Sequence, residues 1–265
     1  MSLGEKRLFL LDMDGTIYLG EQLFDGVREF LAAVKNSGGR YLFLTNNSSH
    51  GVQGYLEKMD RLHIPAAEED FLTAIDATVQ CLRKDYPAAR CYVQGTRSFY
   101  EQLQAAGIDV TDVPDENVTL LLSGYDTELT YQKLEDACRL LTRGVDWVAT
   151  NPDWVCPMEW GSVPDCGSVC WMLTTATGKK PRFIGKPEPE MVDLALEKTG
   201  FSPAEALMVG DRIYTDIAAG YRAGIDTAFV LSGEGVEADI EKFDVYPTWV
   251  FDDITALWRQ WEAEQ

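Results

Sequence analysis

Leu8-Phe9-Leu10-Leu11-Asp12-Met13-Asp14-Gly15-Thr16 is the stretch on which the fold turns. Four apolar residues in a row, without alternation, read as a strand buried on both faces, the pattern of an interior strand in a parallel sheet. The run stops at Asp12, so two carboxylates, Asp12 and Asp14, stand at the carboxyl end of that strand. Gly15 follows, permitting a tight turn and the close approach of a ligand to backbone amides. Ligands of open parallel sheets bind outside the carboxyl ends of the strands.

Outward from this stretch the alternation continues. Phe24, Val27, Phe30, Leu31 and Val34 recur at helical spacing before Gly38 and Gly39 end the helix. Residues 41–44 form a second buried strand that ends in Thr45, Asn46, Asn47 and Ser48. Near the other end, residues 206–209 run into Gly210 and Asp211, and a helix is expected around residues 213–223. Strands at 227–231 and 248–251 and a helix at 254–261 close the chain. The two ends together predict a doubly wound, Rossmann-like α/β core with a parallel sheet.

The middle has an alternation of its own, with strands expected at 91–93, 118–122 and 147–150 and helices at 99–106, 131–141 and 169–177. About a hundred residues is a domain's worth of chain. Each flank is incomplete alone, so the economical reading is one discontinuous core, residues 1–76 and 181–265, carrying an inserted α/β domain at 77–180.

Charge limits the partners. The chain of 265 residues carries 43 Asp plus Glu against 23 Lys plus Arg, a formal charge of −20. Such a surface repels nucleic-acid backbones and anionic membranes, so neither is expected as a partner. A small phosphorylated metabolite is not excluded, because a bound cation and oriented donors reverse the potential locally. The apolar run at Leu8 is too short for a signal segment and nothing approaches the length of a membrane span, so the cytoplasm is the expected compartment. Six cysteines without a C-x-x-C are expected to be reduced. With only His50 and His63 as imidazole ligands, a zinc site is disfavoured, and the abundant carboxylates suit a hard cation such as Mg²⁺.

Four polar clusters fall at expected strand ends or just before helices. Asp12 can attack phosphorus, while Asp14 can protonate a leaving oxygen and later activate water. A turn-capping pair is the simpler alternative for these two residues. A calcium loop would need Asp or Asn at Thr16 and glycine at Ile17, and a nucleotide-binding Walker pair would need a Gly-rich phosphate loop that the chain lacks. Thr45 and Asn46 offer a hydroxyl and an amide to phosphoryl oxygens, or simply cap a turn. Lys186, held between Gly185 and Pro187, can neutralise an aspartate cluster and hold a phosphoryl group. Asp211, in Met-Val-Gly-Asp-Arg, is placed to complete a cation site with Asp12, and Asp216 to orient Lys186 or the cation's outer shell.

The order of these clusters resembles the haloacid dehalogenase-like hydrolases, in particular their capped phosphatases of the NagD and p-nitrophenylphosphatase type. The resemblance rests on DMDGT with Asp12 and Asp14, LTNNS with Thr45 and Asn46, ATNPD at residues 149–153, GKPEP with Lys186, and VGDRxxTDIAAG with Asp211 and Asp216. It implies a Rossmann-like core with a large inserted cap and an Mg²⁺-dependent phosphomonoester hydrolase that works through an aspartyl phosphate on small metabolites, sugar phosphates foremost. Pyridoxal phosphate, phosphoglycolate and phosphotransfer are the alternatives, and a non-enzymatic phosphate-binding module is disfavoured, since it would not need both Asp12 and Asp14. It also implies Mg²⁺ held by the Asp12 carboxylate, the Asp14 backbone carbonyl and Asp211. Asp12 would be the nucleophile and Asp14 the acid and base, with Gly15, Thr45, Asn46 and Lys186 around the phosphoryl group. Asp165 and Cys166 are the expected specificity residues of the cap, and the assembly is expected to be a monomer or a homodimer.

Overall fold

The strand Leu8–Leu11 lies inside a six-stranded sheet, and all four of its side chains are buried. The computed structural model describes residues 2–49, 51–158 and 160–265. Across the sheet the order is Trp249–Phe251, Asp226–Val230, Ala206–Gly210, Leu8–Leu11, Arg40–Thr45, Phe71–Thr73. Pairing is parallel from the first of these through to Arg40–Thr45. From Leu8–Leu11 the chain builds outward on one side and later, from Ala206–Gly210, on the other. The strand order therefore reverses between these two, and that is the switch point at which α/β sheets open a crevice. Leu11 stands opposite Val209, and the Asp12 N–H donates to the Val209 carbonyl at 2.9 Å. Asp12 and Asp211 thus leave the sheet at adjacent strand ends.

The helix expected from the 3.6-residue spacing runs over Val27–Asn36 and buries Val27, Phe30, Leu31 and Val34. Phe9 of the sheet packs edge-on against Phe30 of this helix at 5.1 Å and against Trp261 of the last helix, Ile254–Ala263, at 5.2 Å. Burying each large apolar side chain stabilises by about 1.5–3 kcal/mol, and each edge-to-face pair adds about 0.5–1.5 kcal/mol. The Trp261 indole N–H is not stranded by this burial, because it donates to the Lys6 carbonyl at 3.2 Å.

Contacts divide the chain into two units, one of Met1–Thr45, Tyr55–Leu72 and Lys186–Gln265, the other of Asn46–Gly54 and Thr73–Gly185. The second unit has its own five-stranded parallel sheet, in the order Arg182–Phe183, Asp146–Ala149, Leu120–Ser123, Cys91–Gln94, Val110–Thr111. Threonines start three of its helices. Thr73, Thr96 and Thr130 each accept the amide three residues on, satisfying a donor that the first helical turn leaves open. Its core gathers Leu121, Leu140, Trp147, Cys170 and Leu173, among others.

Several elements carry no clear pattern in the sequence. Phe71–Thr73, on the edge of the first sheet, is only three residues long, and the hairpin of Val155–Met158 and Gly161–Pro164 is largely exposed. The helix expected at 213–223 is in two parts, a widened π-type turn at Ile213–Ile217 and then α-helix at Ala218–Ala223. Among the described residues no helix is long and apolar enough to cross a membrane, and no disulfide joins the described cysteines.

Candidate active site

At the switch point of the first unit, Asp12, Asp211 and Asp216 offer carboxylate oxygens that all lie within 4.8 Å of one another. Each is placed by its strand. Asp12 ends Leu8–Leu11, Asp211 ends Ala206–Gly210, and Asp216 sits in the π-type turn that follows, its Oδ2 accepting the Arg212 N–H at 3.2 Å. Lys186 is buried among them. Its Nζ donates to Asp12 Oδ1 at 2.5 Å and to the Leu44 carbonyl at 3.3 Å, and lies 2.6 Å from Asp216 Oδ1. The Lys186–Pro187 peptide is cis.

The electrostatics are those of a site crowded with negative charge. Burial works to lower the Lys186 pKa, but the Asp12 and Asp216 carboxylates outweigh it and hold the ammonium above its usual value. Burial, with Asp12 and Asp216 close by, pushes Asp211 well above the carboxylate range, against the pull of the Glu234 N–H and of Arg212. Burial and Asp12 raise Asp216 as well, and Lys186 opposes them. Lys186 and Arg212, the latter shared with Glu234, do not balance three carboxylates.

A hard divalent cation fits this arrangement. Every donor in the cluster is an oxygen, as Mg²⁺ requires. Asp211 Oδ2 accepts the Glu234 N–H at 2.7 Å, whereas its Oδ1 is buried with no hydrogen-bond partner. Backbone closes in around the same carboxylate. A Cβ at Gly15 (φ +89°) or at Gly233 would collide with Asp211 Oδ2, so only glycine fits at either place. The Ser232 hydroxyl donates to the Gly15 carbonyl at 2.7 Å and ties the two loops together.

Asp14 is set apart from this buried cluster. Its carboxylate is 61% exposed, with Lys58 Nζ 3.8 Å away. Partial desolvation raises its pKa, and Lys58 pulls the other way. Lys58 is itself anchored 3.6 Å above the ring of Tyr18. An exposed carboxyl two residues from a half-buried, lysine-held one suits proton exchange with a leaving group or water.

The remaining expected residues divide. Thr45 ends Arg40–Thr45, and its Oγ1 lies 3.2 Å from the Tyr55 hydroxyl. Asn46 groups with the second unit, where its Nδ2 donates to Asp153 Oδ2 at 3.0 Å. Asp165 and Cys166 lie at a helix start in the second unit. Asp165 is buried, caps the helix Cys166–Thr177 and accepts the Asn151 amide at 3.2 Å. Cys166 is fully buried in the second unit's apolar cluster, its Sγ 3.6 Å from the Ser123 carbonyl. His50 lies outside the described residues.

Sequence reasoning passed over Arg212, Glu234, Ser232, Gly233 and Lys58. Arg212 Nη2 pairs with Glu234 Oε2 at 2.9 Å beside the carboxylates. The Ser-Gly-Glu-Gly run at 232–235, directly after a buried strand, was the available signal for that loop. Lys58 lies within a polar helix and carries no such signal.

Comparison with known proteins places the chain in a family. Two family models match, one described as haloacid dehalogenase-like hydrolase over residues 9–109 and one as HAD-hydrolase-like over residues 183–257. An acid sugar phosphatase of Staphylococcus aureus is 35% identical over 248 residues, covering 94% of this chain and 95% of that one. The 4-nitrophenylphosphatase of Thermotoga maritima superposes with a TM-score of 0.91 at 37% identity, covering 97% and 98% of the two chains. The glycerol phosphate phosphatase of Mycobacterium tuberculosis, solved in complex with calcium, superposes with a TM-score of 0.89 at 31% identity, covering 97% of this chain and 76% of that one. The chain belongs to the haloacid dehalogenase-like hydrolases, as a phosphatase of the NagD and p-nitrophenylphosphatase type.

Proposed function

We propose that this phosphatase hydrolyses phosphomonoesters of small metabolites, sugar phosphates foremost, through an aspartyl phosphate on Asp12 and with Mg²⁺ as its cation. The observation that carries the proposal is the pairing of a half-buried, lysine-held carboxylate, Asp12, with an exposed one, Asp14, two residues on. Asp12, Asp211 and the Asp14 backbone carbonyl would hold the Mg²⁺, with Asp216 behind them. When bound, it supplies positive charge that offsets the carboxylate cluster and the incoming phosphate.

The protein's own groups then divide the work. Lys186 pins Asp12 Oδ1, which orients the carboxylate for attack. Asp12 forms a bond to phosphorus, the bond from phosphorus to the ester oxygen breaks, and Asp14 gives its proton to the departing alcohol. Asp14, now ionised, takes a proton from water as that water attacks phosphorus. The bond from phosphorus to Asp12 breaks, phosphate leaves, and both carboxylates return to their starting states. Gly15, Thr45, Asn46 and Lys186 are assigned to the phosphoryl oxygens. The second unit is assigned the choice of leaving group, as a cap. Relatives named for sugar phosphates, glycerol phosphate and 4-nitrophenyl phosphate support a small monoester without fixing its alcohol.

The test is phosphate release across sugar phosphates, pyridoxal phosphate and phosphoglycolate, with Mg²⁺ and with EDTA, using Asp12→Asn as the blank. Release from sugar phosphates that needs both Mg²⁺ and Asp12, with the highest kcat/KM of the panel, is expected. A higher kcat/KM for pyridoxal phosphate or phosphoglycolate would reassign the leaving group. Undiminished release in EDTA would refute the cation's role.

A further inference from the structure

The two oxygens of Asp211 are used differently. Oδ2 accepts the Glu234 N–H at 2.7 Å, and Oδ1 is buried with no hydrogen-bond partner. That division lasts only while the loop that carries Glu234 stays in place. Two ties hold the loop beside the site: the Gly235 N–H donates to the Asp211 carbonyl at 3.1 Å, and the Ser232 hydroxyl to the Gly15 carbonyl at 2.7 Å. A third is made by the Glu234 side chain. Its Oε2 lies 2.9 Å from Arg212 Nη2, and its Oε1 accepts the Tyr214 hydroxyl at 3.3 Å. Arg212 is the residue after Asp211, and Tyr214 lies in the π-type turn Ile213–Ile217 that also carries Asp216. Glu234 therefore meets Asp211 through its amide and the segment just after Asp211 through its carboxylate, closing a ring around one candidate cation ligand. Every residue of this ring belongs to the first unit, and the reaction steps above make no use of Glu234 or Arg212.

We infer that Glu234 is a positioning residue for the cation: gripped by Arg212 and Tyr214, it holds its own amide on Asp211 Oδ2 and so keeps Oδ1 free for the cation. The inference rests on the reading of Asp211 as a cation ligand and adds the group that orients it. Partners that orient a metal-binding carboxylate are typically worth tenfold or more in affinity, roughly 10- to 100-fold. Glu234 is half exposed and its side chain acts one step further back, so a smaller factor is expected here. An effect of charge alone is separable, because charge gives the two partners opposite signs. Removing a nearby anion weakens cation binding and removing a nearby guanidinium strengthens it, whereas breaking the grip from either side weakens it.

The test is Mg²⁺ binding followed without substrate, as the dependence of Tm on the concentration of MgCl₂, beside the Mg²⁺ concentration that half-saturates phosphate release. Glu234→Ala is expected to raise the Mg²⁺ Kd about fivefold while changing kcat at saturating Mg²⁺ by less than about threefold. Glu234→Gln removes the charge but keeps an oxygen for Arg212 and offers an amide to the Tyr214 oxygen, so its Kd should return to within about twofold of the wild type. Arg212→Met should weaken Mg²⁺ binding as well, and combining it with Glu234→Ala should add no further loss. Equal losses in Glu234→Ala and Glu234→Gln, or tighter binding by Arg212→Met, would overturn the inference in favour of charge alone. An unchanged Kd in Glu234→Ala would overturn it too, leaving Glu234 without a hold on Asp211. If Arg212→Met does not fold, Arg212→Lys replaces it. Lysine keeps the charge and loses the guanidinium fork, so weaker Mg²⁺ binding is expected, and binding equal to the wild type would count against the inference. Failure of the cation assignment itself would look different, as a wild type whose Tm does not respond to Mg²⁺, and it would take the inference with it.

Discussion

A buried lysine between two carboxylates makes sense only as a set. Removing the ammonium from such a group leaves uncompensated negative charge in the interior, which costs about 3–5 kcal/mol. Lys186→Met is therefore expected to lower both activity and thermal stability, measured by phosphate release and by unfolding. A variant that lost activity at unchanged Tm would place Lys186 outside the folding balance. Asp12→Asn should instead cut turnover by about a thousandfold or more with little loss of stability, because it removes the nucleophile while relieving charge crowding. Gly15 is fixed by two independent constraints, its positive φ and the Asp211 carboxylate that a side chain would strike. Gly15→Ala should raise the Mg²⁺ concentration that half-saturates activity, and an unchanged Mg²⁺ titration would show that the Asp211 carboxylate had room to move.

Elements set how far these side chains can be trusted to converge. Asp12 and Asp211 meet because two parallel strands in fixed register end side by side, and their register follows from buried side chains such as Leu10 and Met208 standing opposite each other. The sequence showed this part plainly, since an uninterrupted apolar run followed at once by Asp is hard to read otherwise. It was silent where burial leaves no pattern. The exposed hairpin after Asp153 and the three-residue edge strand at Phe71–Thr73 lack periodicity. The interior roles of Asp165 and Cys166 depend on which way one helix start faces, which spacing does not reveal. Elsewhere a single cap is legible and testable. Thr130 accepts the Lys133 N–H at 3.3 Å to start Tyr131–Arg143, so Thr130→Ala should cost about 1 kcal/mol of stability and leave kcat unchanged. A fall in kcat larger than the fall in folded protein would tie that helix to the chemistry.

For the whole molecule, a surface of strong net negative charge surrounds a site that must bind an anion, and the cation resolves the contradiction. A ligand that binds only the folded protein stabilises it by mass action, about 2.7 kcal/mol at a hundredfold excess over its Kd. Mg²⁺ is thus expected to raise the Tm of the wild type, and Asp211→Asn to lose that increment, since Asp211 supplies the buried oxygen that has no other partner. Equal Mg²⁺ shifts in the two proteins would locate the cation elsewhere. The discontinuous core explains why neither flank reads as a domain alone, because Leu8–Leu11 from one flank and Ala206–Gly210 from the other must pair before the site exists.

If Asp12 carries the phosphoryl group between substrate and water, the phosphorylated residue is trapped when its hydrolysis is slowed. This is tested most directly by mixing Asp14→Asn enzyme and Mg²⁺ with 4-nitrophenyl phosphate, whose leaving group departs without protonation, then quenching in acid and locating the phosphoryl group by mass spectrometry. A burst of about one equivalent of nitrophenolate per chain is expected, with phosphate on the peptide that contains Asp12. Free phosphate formed in step with nitrophenolate by an unmodified enzyme, or a phosphoryl group on any other residue, would contradict it.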